Sequence, residues 1–193
     1  MTTAKQVDLS KWQLAELATT TRGQKFCQLT SDNKPVTFRL GSKLQTRIGA
    51  STFDKTVDAS RKNLDFDVTD HPAIRDCLSK VDQWAVEYIS KHSVRLFKKQ
   101  MTKEAVLEHY RPVLHMYGDT ASVRTKINTR GPRRADCWDP DNNTRDLPED
   151  CWLDNQYDAH VALPQMYVMG NDFGWTLETT ALRVHPVEVQ CPF

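Results

Sequence analysis

Two features of the 193-residue sequence predict a mainly β, α+β fold: an antiparallel β-barrel with a long helix inserted between early and late strands. Hydrophobic residues recur with a period of two up to Val68 and again from Val123 onward, and with helical spacing between them. The order strands, helix, strands also fails to alternate as a wound parallel sheet would. At 22.2 kDa, one core is the default, and 39% hydrophobic with 26% charged residues and a mean hydropathy of −0.61 describe a polar chain that can still fold.

Each element has its own signal. Trp12, Leu14, Leu17 and Ala18 suggest a short helix or arm over 1–21, ended by Thr19-Thr20-Thr21. Val36, Phe38 and Leu40, then Leu44 and Ile48, then Leu64, Phe66 and Val68 alternate with polar residues as three half-buried strands, with turn chemistry at Asp32-Asn33-Lys34-Pro35 and Gly41-Ser42. Asp70-His71-Pro72 opens a helix carrying Ile74, Leu78, Val81, Ala85, Tyr88 and Ile89 on one face to about Phe97. A shorter helix starts at Thr102 and must stop before Pro112. Val123, Thr125 and Ile127 define the next strand, opposite Arg124 and Lys126. Residues 131–157 show no period and contain three prolines, the mark of a long loop. Two apolar runs, Val161–Met169 and Phe173–Val184, close the chain around a hairpin signal at Gly170-Asn171-Asp172. Roughly six to seven strands, with helices between the early and late sets, fit an OB-like barrel, with the long helix expected after the third strand. The expected domain spans 22–186, includes an acidic loop at 135–158, and is followed by a tail at 187–193.

Charge is neutral in sum and segregated in detail. The net +1 combines eleven basic residues against three acids over 91–134 and nine against three over 22–62 with a reversed segment, eight acids against Arg145 over 136–158. Basic strand faces attract phosphates through counterion release, and a single strand adds stacking of its bases on aromatic rings. Arg39, Arg47, Arg124, Lys126, Arg130, Arg133 and Arg134 are the phosphate-contact candidates, with Phe53, Tyr117 and Trp138 as stacking candidates. Outer charges on a half-solvated sheet also serve solubility alone, but their excess on successive strands favours binding. Trp84 and Trp175 lie inside apolar periodic segments and are expected in the core. The acidic loop could occupy the basic grooves when nucleic acid is absent, or dock onto a basic partner.

Other chemistries find little support. Nothing approaches a membrane span or a signal-peptide core, so an intracellular protein with reduced thiols is expected from five scattered cysteines without any CxxC. Cys137-Trp138 and Cys151-Trp152 sit among acids, but the wide separation and the lack of an intervening histidine do not make a zinc knuckle. Asp139-Pro140-Asp141-Asn142-Asn143 lacks the glycine of a calcium loop. No phosphate-loop, dinucleotide, zinc-protease or serine-hydrolase motif is present. The expectation is a non-enzyme with no metal or cofactor.

Leu64–Val68, Thr69-Asp70-His71-Pro72 and the helix through Trp84 and Tyr88 resemble the strand, turn and helix of the single-stranded-DNA-binding proteins of short-tailed coliphages. So do Tyr117-Gly118-Asp119 leading into Ser122–Ile127, and Gly174-Trp175-Thr176-Leu177 through Leu182-Arg183-Val184. Gly49-Ala50-Ser51-Thr52-Phe53-Asp54, Tyr110-Arg111-Pro112 and Asp172-Phe173-Gly174-Trp175 also resemble an uncharacterised family of large DNA viruses. The likeness runs from about Thr37 to Val184 as element order and scattered residues. It implies an OB-fold protein that coats single-stranded DNA without sequence preference in replication or recombination, often as a dimer. Phage members end in an acidic tail with a terminal aromatic that recruits replication proteins; here Phe193 matches the aromatic, but Glu188 is the one acid of 187–193. RNA stays open as a ligand. The alternative is a structural or assembly protein of a virion or larger complex, with charge-complementary subunit contacts.

Overall fold

Inward-facing side chains decide how the strands close. The computed structural model describes residues 7–52, 60–148 and 152–187. After a 3-10 turn at Leu9–Lys11 come β1 (Trp12–Leu14), β2 (Ala18–Thr19), β3 (Lys25–Ser31), β4 (Lys34–Pro35), β5 (Thr37–Ser51) and β6 (Arg61–Asp67). Two helices follow, α1 (Pro72–Phe97) and α2 (Lys103–His109). The second half holds β7 (Tyr110–Arg111), β8 (Leu114–Tyr117), β9 (Thr120–Asn128), β10 (Asp136–Trp138), β11 (Asn155–Met169) and β12 (Asp172–Pro186). Strands β5, β6, β9, β12 and β11 pair in that order and β11 returns to β5, which closes a five-stranded OB-like barrel. All joins are antiparallel except β9 with β12. Closure leaves no free edge in the ring and puts Phe38, Leu40, Leu44, Leu64, Phe66, Val123, Ile127, Tyr157, Val161, Leu177 and Leu182 in one core.

Helix α1 behaves as its pattern requires. Pro72 stands in its first turn, and Ile74, Cys77, Leu78, Val81, Ala85, Ile89 and Leu96 are buried. The cap residue is His71, whose side chain makes no capping bond; its carbonyl accepts from the Ile74 and Arg75 amides instead. Lys98 ends the helix in the left-handed conformation, donating its N–H to the Val94 carbonyl. Thr102 caps α2 by accepting from the Ala105 amide, so both helices occupy the expected spans. Trp84 stacks on Trp175 at 6.2 Å and meets Trp12 edge-on at 5.5 Å, which ties the N-terminal segment and β12 to α1.

Three expectations are corrected. Trp12 and Leu14 form a strand against β3, because the apolar pair has a period of two over the short stretch that packs. The turn expected at Gly41-Ser42 is absent: β5 runs through it, and a Cβ at Gly41 would lie 2.5 Å from the tip of the Ile74 side chain of α1. Merging those two segments places α1 after the second barrel strand rather than the third. The segment 131–157 is likewise no free loop. Its β10 pairs with Ala181–Arg183 of β12, and Cys137, Leu147 and Trp152 reach the core. Three anchors spaced so widely leave no periodic trace. The hairpin of β11 and β12 turns at Gly170, as expected. Among the described residues, no helix is long and apolar enough to cross a membrane.

Candidate nucleic-acid interface

Alternation makes the outer face of β6 and β9 a polar ladder. Register sets Arg61 against Asn128, Asn63 against Lys126, Asp65 against Arg124 and Asp67 against Ser122, while Leu64, Phe66, Val123, Thr125 and Ile127 point inward. Arg124 grips the buried Asp65 carboxylate with two prongs, Nε to Oδ1 at 2.9 Å and Nη2 to Oδ2 at 3.0 Å. Arg61 pairs with Glu178 of β12. Among the described residues the close partner of Lys126 is the neutral side-chain carbonyl of Asn63, and burial together with the Arg61 and Arg124 charges pulls its pKa below the ordinary lysine value. A half-buried ammonium facing two guanidiniums is a place where an added anion lowers the energy.

A bulge and a short edge strand complete the face. Between the pairs Thr46–Phe66 and Ala50–Leu64, β5 carries three residues against one of β6. This bulge turns both Arg47 and Ile48 outward, and Gly49 closes it at φ +69° against the Trp152 side chain. Arg47 then sits 6.0 Å from the Tyr117 ring centre. Tyr117 lies on β8 opposite Thr120, is 59% exposed, and is stacked on His115 at 6.5 Å with 22° between the rings. Burial and the Arg124 charge hold His115 below the usual histidine value.

What places β8 is Asp82 of α1. Its carboxylate accepts the Tyr110 hydroxyl at 2.5 Å, the Val113 amide at 3.0 Å and the Leu114 amide at 3.4 Å. Burial outweighs those bonds and raises its pKa. A carboxyl with a raised folded-state pKa binds its proton more tightly in the native than in the unfolded chain. Stability contributed by this group therefore falls as pH rises from the ordinary value of ~3.9 through the folded value. Denaturant midpoints measured against pH should show that decline in the wild type and lose it in Asp82→Asn; coincident profiles would refute it.

Arg47, Arg124, Lys126 and Tyr117 are thus brought together, as a strip along β9. Its nine residues span roughly 30 Å. Arg130, Arg133 and Arg134 lie in the connection from β9 to β10, at the far end of that strip, with Arg134 paired to Asp146 at 2.6 Å. Arg39 and Trp138 stand apart, on the β5–β11 and β10–β12 side, where Arg39 is bound to Asp158 at 2.8 Å. Phe53 lies outside the described residues. The surpluses counted along the chain are partly cancelled in space: Arg39, Arg124 and Arg134 each hold a carboxylate, because strand pairing brings distant acids opposite them. Asp139 is engaged by its own turn, accepting the Asn143 and Asp141 amides. Arg61 and His115 belong to the face and were not singled out from the sequence, although Arg61 ends a basic stretch and His115 is two residues from Tyr117. Among the described residues, no group of three His, Cys, Asp or Glu converges as a metal site.

The fold is similar to that of gp2.5, a single-stranded DNA binding protein encoded by bacteriophage T7, at a TM-score of 0.51 and 14% identity over 82% of this chain and 91% of that one. The single-stranded DNA-binding protein from bacteriophage Enc34 gives a TM-score of 0.47 at 6% identity in its complex with ssDNA, over 90% and 96% of the two chains. Without ssDNA it gives 0.46 at 8% identity, over 93% and 96%. No protein-family model matches the sequence, and no curated protein does.

Proposed function

We propose that this protein binds single-stranded DNA without sequence preference, by coating the strand rather than transforming it, in support of replication or recombination. The observation that carries this is the face around the second and third barrel strands, where Lys126 of β9 and Arg47 of the adjoining β5 form no ion pair with a carboxylate among the described residues and lie near the exposed Tyr117 ring. That is the face OB barrels use for oligonucleotides. The similarity to gp2.5, itself a single-stranded DNA binding protein, supports the same reading. Phosphates would replace the internal carboxylates of Arg124 and Arg61 and meet Lys126 directly, while a base stacks on Tyr117. A homodimer and contacts with replication proteins belong to this proposal too. The test is a titration with an unstructured oligonucleotide and with a duplex of the same sequence. Saturable, salt-weakened binding that prefers the single strand is expected, and no binding at low salt would overturn the proposal.

A further inference from the structure

The outer face of β5, β11 and β12 holds a second cationic cluster around Asp158. This carboxylate is nearly buried, with its side chain 9% exposed, and it accepts from Arg39 Nη2 at 2.8 Å and the Lys43 amide at 3.1 Å. His185 Nε2 lies 3.2 Å from it and Arg183 Nη1 3.8 Å. A strap holding the β5 irregularity at Lys43 to β11 needs the amide bond and one arginine. Arg39 Nη2 also donates to Ser42 and Arg183 Nη2 to Asn142, yet Nε of both arginines is buried without a hydrogen-bond partner among the described residues, which such a strap does not explain. The cluster carries one positive charge more than its carboxylate neutralises, and Trp138 is Arg183's register partner on β10.

We propose that this cluster is a second phosphate subsite for the same DNA strand, with Arg39 and Arg183 as its cations, Trp138 as its base platform, and Asp158 as the resident counter-ion that a backbone phosphate displaces. It rests on the single-strand reading above. The two faces are joined by chain: β9 leaves β12 at Glu178 and Thr179, β10 takes its place at Ala181–Arg183, and Arg130, Arg133 and Arg134 span the gap. Lys126 is level with Glu178, five residues and so about 17 Å along β12 from Arg183. A strand leaving Lys126 over that loop arrives at Trp138 and Arg183.

Affinities for oligothymidylates of about 8 and about 30 nucleotides, lengths around and beyond one OB site, separate the subsites. Arg183→Gln should lower the ratio of long to short affinity by roughly tenfold, the order of one charge-assisted hydrogen bond. Asp158→Asn, which keeps an acceptor for the Lys43 amide, should raise that ratio. Thermal unfolding checks both variants, and Arg39→Gln takes the place of either that fails to fold. An unchanged ratio in both overturns the subsite. If the wild type binds neither oligonucleotide, the single-strand reading itself falls, and inorganic phosphate then decides the cluster. Shifts of the His185 ring resonances that vanish in Arg183→Gln support an anion site, and their absence refutes it.

Discussion

Replacing Tyr117 with alanine will weaken binding to single-stranded DNA by about 10- to 100-fold. Base stacking on one aromatic ring is worth ~1–3 kcal/mol, and each 1.4 kcal/mol is tenfold. Among the described residues Tyr117 is the exposed aromatic that lies beside Arg47 on this face of the barrel, so its loss removes the ring on which a base would stack there. The fold should not notice, since the ring makes no core contact and its strand is held by Asp82 through Tyr110, Val113 and Leu114. Tyr117→Phe should bind nearly as the wild type does, because the hydroxyl has no role in stacking. Fluorescence anisotropy with a labelled oligonucleotide reads all three; equal affinity for the wild type and Tyr117→Ala would remove the stacking platform from the account.

The largest effect on stability is expected at Gly49. Its φ of +69° lies in the left-handed region, where an L side chain costs roughly 1–2 kcal/mol, and a Cβ would stand 3.0 Å from the Trp152 Cβ. Trp152 cannot retreat easily, because its carbonyl accepts both the Thr46 and the Tyr157 hydroxyls inside the barrel. Gly49→Val adds the crowding of a branched side chain, for a total of about 2–4 kcal/mol. The same variant should weaken DNA binding, since the bulge that Gly49 closes is what aims Arg47 at Tyr117. Urea unfolding checks the first part, and a midpoint within error of the wild type would show that the bulge tolerates a different backbone.

These two residues mark where the sequence was legible and where it was not. Period-two alternation located the strands that matter, and Arg124 and Lys126 could be assigned outward because Val123, Thr125 and Ile127 had to point inward. Helix α1 was equally plain, with Pro72 at its start and an apolar face running its whole length. The failures share a cause, which is that contacts distant in sequence override local pattern. Gly41 looks like a turn residue, yet β5 runs through it against Ile74. Cys137 and Leu147 look like loop residues, yet they anchor β10 beside β12. Charge summed along the chain could not show that Asp65 would neutralise Arg124, or Asp158 Arg39, because register decides those partners. The Arg47 bulge was invisible for the same reason, since it depends on a glycine meeting a tryptophan about a hundred residues away in the chain.

The most direct test of the central claim is the salt dependence of single-strand binding in the wild type and in a double variant, Arg47→Ala with Lys126→Ala. Lys126 of β9 and Arg47 of the adjoining β5 form no ion pair with a carboxylate among the described residues, so binding phosphates with them releases counterions without breaking an internal ion pair. Each phosphate contact contributes a slope of about −0.7 to log affinity against log salt on a single strand. The double variant should therefore bind more weakly at low salt with a slope shallower by about 1.4. A double variant that keeps both the wild-type affinity and its slope would place the DNA elsewhere on the molecule and contradict the account.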